Sequence, residues 1–120
     1  MKIVFTTLGD DLNAPLDSHF GRAPKLLVYD LESEAFKVID NQQNLNAAQG
    51  AGIQSAETVA RLGAKGIVTG HSGPKAFRVL AAAGIKVYHS DAPTVAEALE
   101  QYLSGKLAEA KTADVEGDGL

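Results

Sequence analysis

An imidazole, a hydroxyl and an ammonium stand almost side by side at His71, Ser72 and Lys75. They lie in the stretch Gly-Ile-Val-Thr-Gly-His-Ser-Gly-Pro-Lys, residues 66–75. Ile67 and Val68 read as a buried strand that stops at Gly70, and Pro74 opens a helix, the first helical position being where a missing N–H costs least. The first N–H groups of that helix then face the space beyond the strand's end, which is a ready anion site. Gly70, His71, Ser72, Gly73 and Lys75 would surround it. Read plainly, the same segment is a strand-to-helix turn.

Two further segments carry candidate groups. Asp17-Ser18-His19-Phe20-Gly21-Arg22 offers a His and an Arg for anion or metal contact, or else a surface turn with Phe20 tucked into the core. Gln49-Gly50-Ala51-Gly52-Ile53 would let a backbone approach a ligand closely at a helix start. His89 ends an apolar strand-like run. Imidazole is a common metal ligand, so His19, His71 and His89 are candidates for copper, zinc or iron.

Several chemistries lack their groups. Gly50-x-Gly52 has no third glycine, since Ser55 stands there, and Gly73-Pro74-Lys75 lacks the Gly-Lys-Ser/Thr ending of a phosphate loop. A two-metal nuclease needs carboxylates on its central strands; residues 2–7 and 66–70 have none. Ser72 beside His71 is not the separated arrangement of a catalytic triad. There is no cysteine, so no thiolate-held zinc or iron–sulfur site forms within one chain. A metal must be held by His, carboxylate, backbone or Met1, or arrive in its own ligand shell.

The elements that would position these groups follow from apolar spacing. Strands are expected at 2–7, 25–30, 35–40, 66–70 and 85–89, with a hairpin turn at Leu31-Glu32-Ser33-Glu34. Residues 8–24 form a long connection, of a length that is usually functional or disordered, and 41–46 a polar loop. A helix starting between Ala47 and Ile53 carries Ile53, Ala56, Val59, Ala60 and Leu62 inward and ends at Gly63. A second helix covers 74–83, capped by Gly84. A third begins near Asp91 as N-cap, with Val95, Ala98, Leu99, Tyr102 and Leu103 facing the core.

The order βββαβαβα predicts an α/β fold with helices on both faces: a ribonuclease-H-like mixed sheet of five strands, order 3-2-1-4-5, with strand 2 antiparallel. The two crossovers require parallel strands. The loops after strands 1, 3, 4 and 5 then share one sheet edge, where open α/β sheets bind ligands. All three histidines fall there.

The 120 residues predict a single domain at 1–107 and a mobile acidic tail at 108–120. The net charge is −4, with no basic field for nucleic acid, although Arg22, Lys25, Lys75 and Arg78 form a local patch for a small anion. No apolar run approaches the ~20 residues that span a bilayer. The opening residues lack a leader pattern, so a cytoplasmic protein with no nucleic-acid or membrane partner is expected.

In combination, residues 17–22, 44–52, 66–75 and Gly84-Ile85-Lys86-Val87-Tyr88 resemble the dinitrogenase iron–molybdenum cofactor-binding family, over about residues 1–104. The resemblance implies a non-enzymatic carrier of a noncovalently held molybdenum–copper sulfide cluster. Such an anionic thiometallate brings its own sulfide ligands. Asn44, Gly50, Ala51, Gly52 and Ile53 are expected along one wall of its site. Gly70, His71, Ser72, Gly73 and Lys75 would form the other, with His19 and Arg22 covering it. The rival readings are a metal-dependent hydrolase using the three histidines and a cluster-free interaction module.

Overall fold

The computed structural model describes residues 1–45 and 50–113. Five strands, β1 (Lys2–Thr7), β2 (Lys25–Asp30), β3 (Phe36–Asp40), β4 (Gly66–Thr69) and β5 (Lys86–His89), form one sheet in the order β3-β2-β1-β4-β5. β2 runs antiparallel to β1 and β3, while β4 is parallel to β1 and to β5. This is the expected ribonuclease-H-like arrangement.

Alternation along the strands divides the core in two. Val4, Leu26, Val28, Ile67 and Val87 point to a face covered by α2 (Ala51–Arg61), α3 (Pro74–Ala82) and a 3-10 turn at Phe20–Arg22. Phe20 is fully buried there. Ile3, Phe5, Leu27 and Val68 point to the other face, covered by α4 (Val95–Leu103). Burying each such side chain contributes about 1.5–3 kcal/mol. The period-2 alternation therefore fixes which helix covers which face.

Three local expectations are corrected. The stretch expected as a polar loop contains a short helix, α1 (Gln42–Leu45). Its Asn44 and the preceding Asn41 are buried, and α2 buries Ser55 and Thr58 where Ala60 was expected. The polar groups satisfy one another. Asn41 Nδ2 donates to the Ala23 carbonyl at 2.8 Å and to Ser55 Oγ at 2.9 Å, and Asn44 Nδ2 donates to Asn41 Oδ1 at 2.6 Å and to Thr58 Oγ1 at 2.9 Å. Buried polar groups persist only when paired in this way. Second, α4 is capped by Thr94, not Asp91: Thr94 Oγ1 accepts the Glu97 N–H at 3.2 Å. Third, Leu103 is 62% exposed, and Tyr102 instead packs edge-on against Tyr88.

Within the segment expected as a tail, Glu109 bridges Tyr88 and the Ala110 N–H donates to the Val87 carbonyl at 2.7 Å, so the chain covers the β5 edge there. Residues 114–120 of that segment, and 46–49 ahead of α2, lie outside the described residues.

Two outcomes are expected. Asn41→Ala removes the centre of the amide network and should lower stability by about 2–3 kcal/mol, read as a shift in urea midpoint at constant slope. In the β2–β3 hairpin, the Asp30 carboxylate accepts the N–H of Glu32 at 2.8 Å and of Ser33 at 3.3 Å, which holds its pKa below the ordinary value. Its contribution is therefore present above the unfolded carboxylate pKa and lost as pH falls through the folded one. Asp30→Asn should flatten the decline of stability below about pH 4.

Candidate functional site

The ends of β1 and β4 are joined by the long loop 8–24, which is stitched to both. The Asp17 N–H donates to the Thr6 carbonyl at 2.8 Å. Thr6 Oγ1 lies 3.1 Å from the Asp17 carbonyl and 2.8 Å from Thr69 Oγ1; donating to the first, it accepts from the second. The Gly70 N–H donates to the Asp17 carbonyl at 3.2 Å, and the Phe20 N–H to the His71 carbonyl at 3.0 Å. Gly70 is essential to this join. A Cβ there would lie 2.6 Å from both the Cα and the carbonyl oxygen of Ser18.

Stitching the loops brings His19 and His71 together as a parallel bridge, with ring centroids 5.7 Å apart and planes tilted by 43°. The buried Asp17 carboxylate accepts the His19 N–H at 2.9 Å, and Ser18 Oγ lies 3.0 Å from His19 Nδ1. Ser72, fully buried, is paired not with its neighbour His71 but with His89, Oγ to Nε2 at 2.7 Å. That pairing spans seventeen positions and has no sequence signal. Among the described residues no three of His, Asp or Glu gather as ligands for an ion. His19 and His71 form a pair, and His89 bonds elsewhere.

α2 and α3 share one face of the sheet, and both begin at this edge because each follows a strand that ends there. Both have glycine N-caps, Gly50 at φ 106° and Gly73 at φ −89°, which supply no capping side chain. Gly52 is buried in the first turn of α2, with Ile53 half-buried and Ala51 beside it. Pro74 opens α3 as expected, followed by the exposed Lys75. Arg22 is exposed at the end of the 3-10 turn. Two expected members are occupied otherwise. Asn44 is held in the amide network, and Lys25 leaves the basic patch to pair with Asp10.

On the α4 side of the same edge lies a cleft of about 660 Å³ between Asp17, His71 and His89 and the side chains of Gln101, Lys106 and Leu107. Ser90 Oγ donates to Gln101 Oε1 at 2.6 Å across its floor. Lys106, two residues before the expected start of the tail, forms part of the cleft wall. Only the turn of the chain after α4 places it there, so spacing alone could not reveal it.

The family model described as "Dinitrogenase iron-molybdenum cofactor" matches residues 1–105. An uncharacterised protein of Methanocaldococcus jannaschii is 34% identical over 98 residues, which is 79% of this chain and 82% of that one. The apo form of the orange protein from Desulfovibrio gigas superposes with a TM-score of 0.91 at 36% identity, covering 95% of this chain and 96% of that one. A Thermotoga protein solved by NMR gives a TM-score of 0.84 at 31% identity, covering 97% and 98%.

Gly70→Ala and Gly50→Ala should separate the two uses of glycine at this edge. Gly70→Ala forces a Cβ into backbone and should cost about 2–3 kcal/mol, while splitting the His19–His71 contact seen by imidazole NMR. At Gly50 no described atom lies within 4 Å of a Cβ, so the positive φ is what matters, at about 1–3 kcal/mol. Equal losses with an undisturbed His19–His71 pair would deny Gly70 its role in the join.

Proposed function

The chain belongs to the dinitrogenase iron–molybdenum cofactor family, and from that premise we propose that it binds and carries, noncovalently, an anionic molybdenum–copper sulfide cluster. One observation carries the reading. Two helices open side by side on glycine caps, next to a histidine pair, in a chain with no cysteine. A helix N-terminus favours an anion by about 0.3–1 kcal/mol when exposed and about 2 kcal/mol when partly buried. Two of them with Lys75 and Arg22 suit a multiply charged ligand whose sulfide surface accepts N–H donors.

In this reading Gly50, Ala51, Gly52 and Ile53 form one wall and Gly70, His71, Ser72, Gly73 and Lys75 the other. His19 and Arg22 stand over the opening. Small residues let the cluster approach the backbone, and Ile53 gives an apolar contact. Asn44 acts from behind, by holding the second half of α2 through Thr58. The donor set fits a preassembled cluster better than a bare ion, because the described histidines and carboxylates do not converge in threes. The function is carriage without turnover. A cluster held by charge and shape alone can be handed on without breaking a metal–protein bond.

The test is incubation of the apoprotein with tetrathiomolybdate and copper. A coloured complex should survive desalting and contain both metals. Lys75→Glu should weaken retention several-fold. Lys65→Glu, at the opposite end of β4, should not, and retention should fall with salt as screening tightens to ~8–10 Å. A protein that emerges from the column without molybdenum overturns the proposal. Equal effects of the two lysine substitutions would move the site away from α3.

A further inference from the structure

We infer that the cleft on the α4 side of the edge binds a small zwitterion with an aliphatic body, a free amino acid or a short peptide. Its volume of about 660 Å³ lies within the range of about 300–1,000 Å³ found for small-molecule pockets. Uncommitted polar groups gather around Gln101. The buried Ser90 hydroxyl accepts the Ala92 N–H at 3.0 Å and donates to Gln101 Oε1 at 2.6 Å. That bond fixes the amide and leaves Gln101 Nε2 as a donor with no acceptor among the described residues. The Lys106 N–H donates to the Gln101 carbonyl at 3.0 Å, which roots Lys106 beside that amide. Asp91 follows Ser90 directly, at the other end of the Ser90–Gln101 bond. Asp91 and Lys106 both line the cleft, yet neither side chain has a partner among the described residues, and they do not pair with each other.

Opposite charges that line one cleft without meeting suit a ligand that carries both. Lys106 and Gln101 Nε2 are donors only and receive its carboxylate; the Asp91 carboxylate is an acceptor and receives its ammonium. Leu16, Ala92 and Leu107 supply an apolar wall for the aliphatic body, continuous with the core around Ile3 and Phe5. A bare anion fits this cleft less well, because Asp17 brings a second carboxylate against the one ammonium. That separates its chemistry from the anionic cluster proposed on the α2–α3 side, which it does not require. The wall is already in place. The Ala110 N–H, donating to the Val87 carbonyl at 2.7 Å, pins the chain just beyond Leu107, so little ordering is left to oppose binding.

The experiment uses the full chain without metal. L-Leucine and leucyl-leucine are each titrated to ~10 mM, enough to fill most of a site with a Kd of ~1 mM, while backbone amide NMR signals are followed. At least one of them should give saturating shifts at Ser90, Asp91, Ala92, Gln101, Lys106 and Leu107, and the tighter of the two tells a free amino acid from a peptide. Leucinamide lacks the carboxylate and isocaproate lacks the ammonium; each should bind about fivefold more weakly or worse than leucine or its dipeptide, whichever is tighter. These analogues test the two charges without any substitution. Lys106→Met and Asp91→Asn should each weaken the tighter ligand about fivefold. Both replace exposed side chains, so the wild-type melting curve should be kept. Gly70 and His71 also line the cleft but belong to the proposed cluster wall and stay unchanged. Shifts that fail to saturate with both ligands, an analogue that binds as tightly as the zwitterion, or undiminished binding in either variant would each overturn the inference.

Discussion

At Gly70 two backbones lie closer than any side chain permits. Ser18 occupies the space where a Cβ would stand, and the loop that carries it is bound to the β1 and β4 ends through Thr6, Thr69 and Asp17. A seventeen-residue connection left unattached would be free to sample many conformations, and its ordering costs about 1–2 kcal/mol of backbone entropy per residue. The threonine pair and the glycine gap offset part of that cost at one point. His19, Phe20 and Arg22 follow within a few residues of it, and Phe20 then anchors the far side in the core. The site edge is thus a consequence of a join between two loops, with the strands supplying only its direction.

The longer helices that start at this edge, α2, α3 and α4, satisfy their first N–H groups differently. α4 uses its own Thr94 side chain, while α2 and α3 begin on glycines. A threonine at Ncap is worth about 1 kcal/mol more to a helix than an alanine, but only about a few tenths more than a glycine. Two helices on one face forgo that gain, and the one on the other face keeps it. This asymmetry distinguishes the α2–α3 side of the edge, where the proposed ligand would sit, from the α4 side. The α2–α3 face gains stability through the Asn41–Asn44–Ser55–Thr58 network along the middle of α2.

Sheet order and strand direction were legible because they depend on apolar alternation and on the geometry of crossovers, both local in the chain. Pro74 and Gly73 likewise located the start of α3. Asn41 and Asn44 were not, since a run of Asn and Gln reads as a loop unless a partner such as Thr58 is known to face it. Thr94 is legible in principle: Thr-x-x-Glu at 94–97 has the spacing of a capping box, although Asp91 just ahead of Pro93 offers a competing N-cap. The Ser72–His89 bond and Lys106 in the cleft wall are long-range pairings that no spacing encodes. For the candidate site, then, the edge could be read and the contacts within it could not.

Charge sets a last constraint on how such an edge can work. The chain carries −4 in all, so its far field repels an anionic cluster, and association gains nothing from the steering that basic surfaces provide. What favours the anion must act at short range, through N–H groups and the Lys75 and Arg22 charges within about a Debye length of ~8 Å. Such a site discriminates by fit. An anion too small to touch both helix starts meets one favourable end and the same overall repulsion, whereas one large enough to span from α2 to α3 meets both. In the proposed reading, selectivity for a polynuclear ligand over simple oxyanions would follow from that geometry.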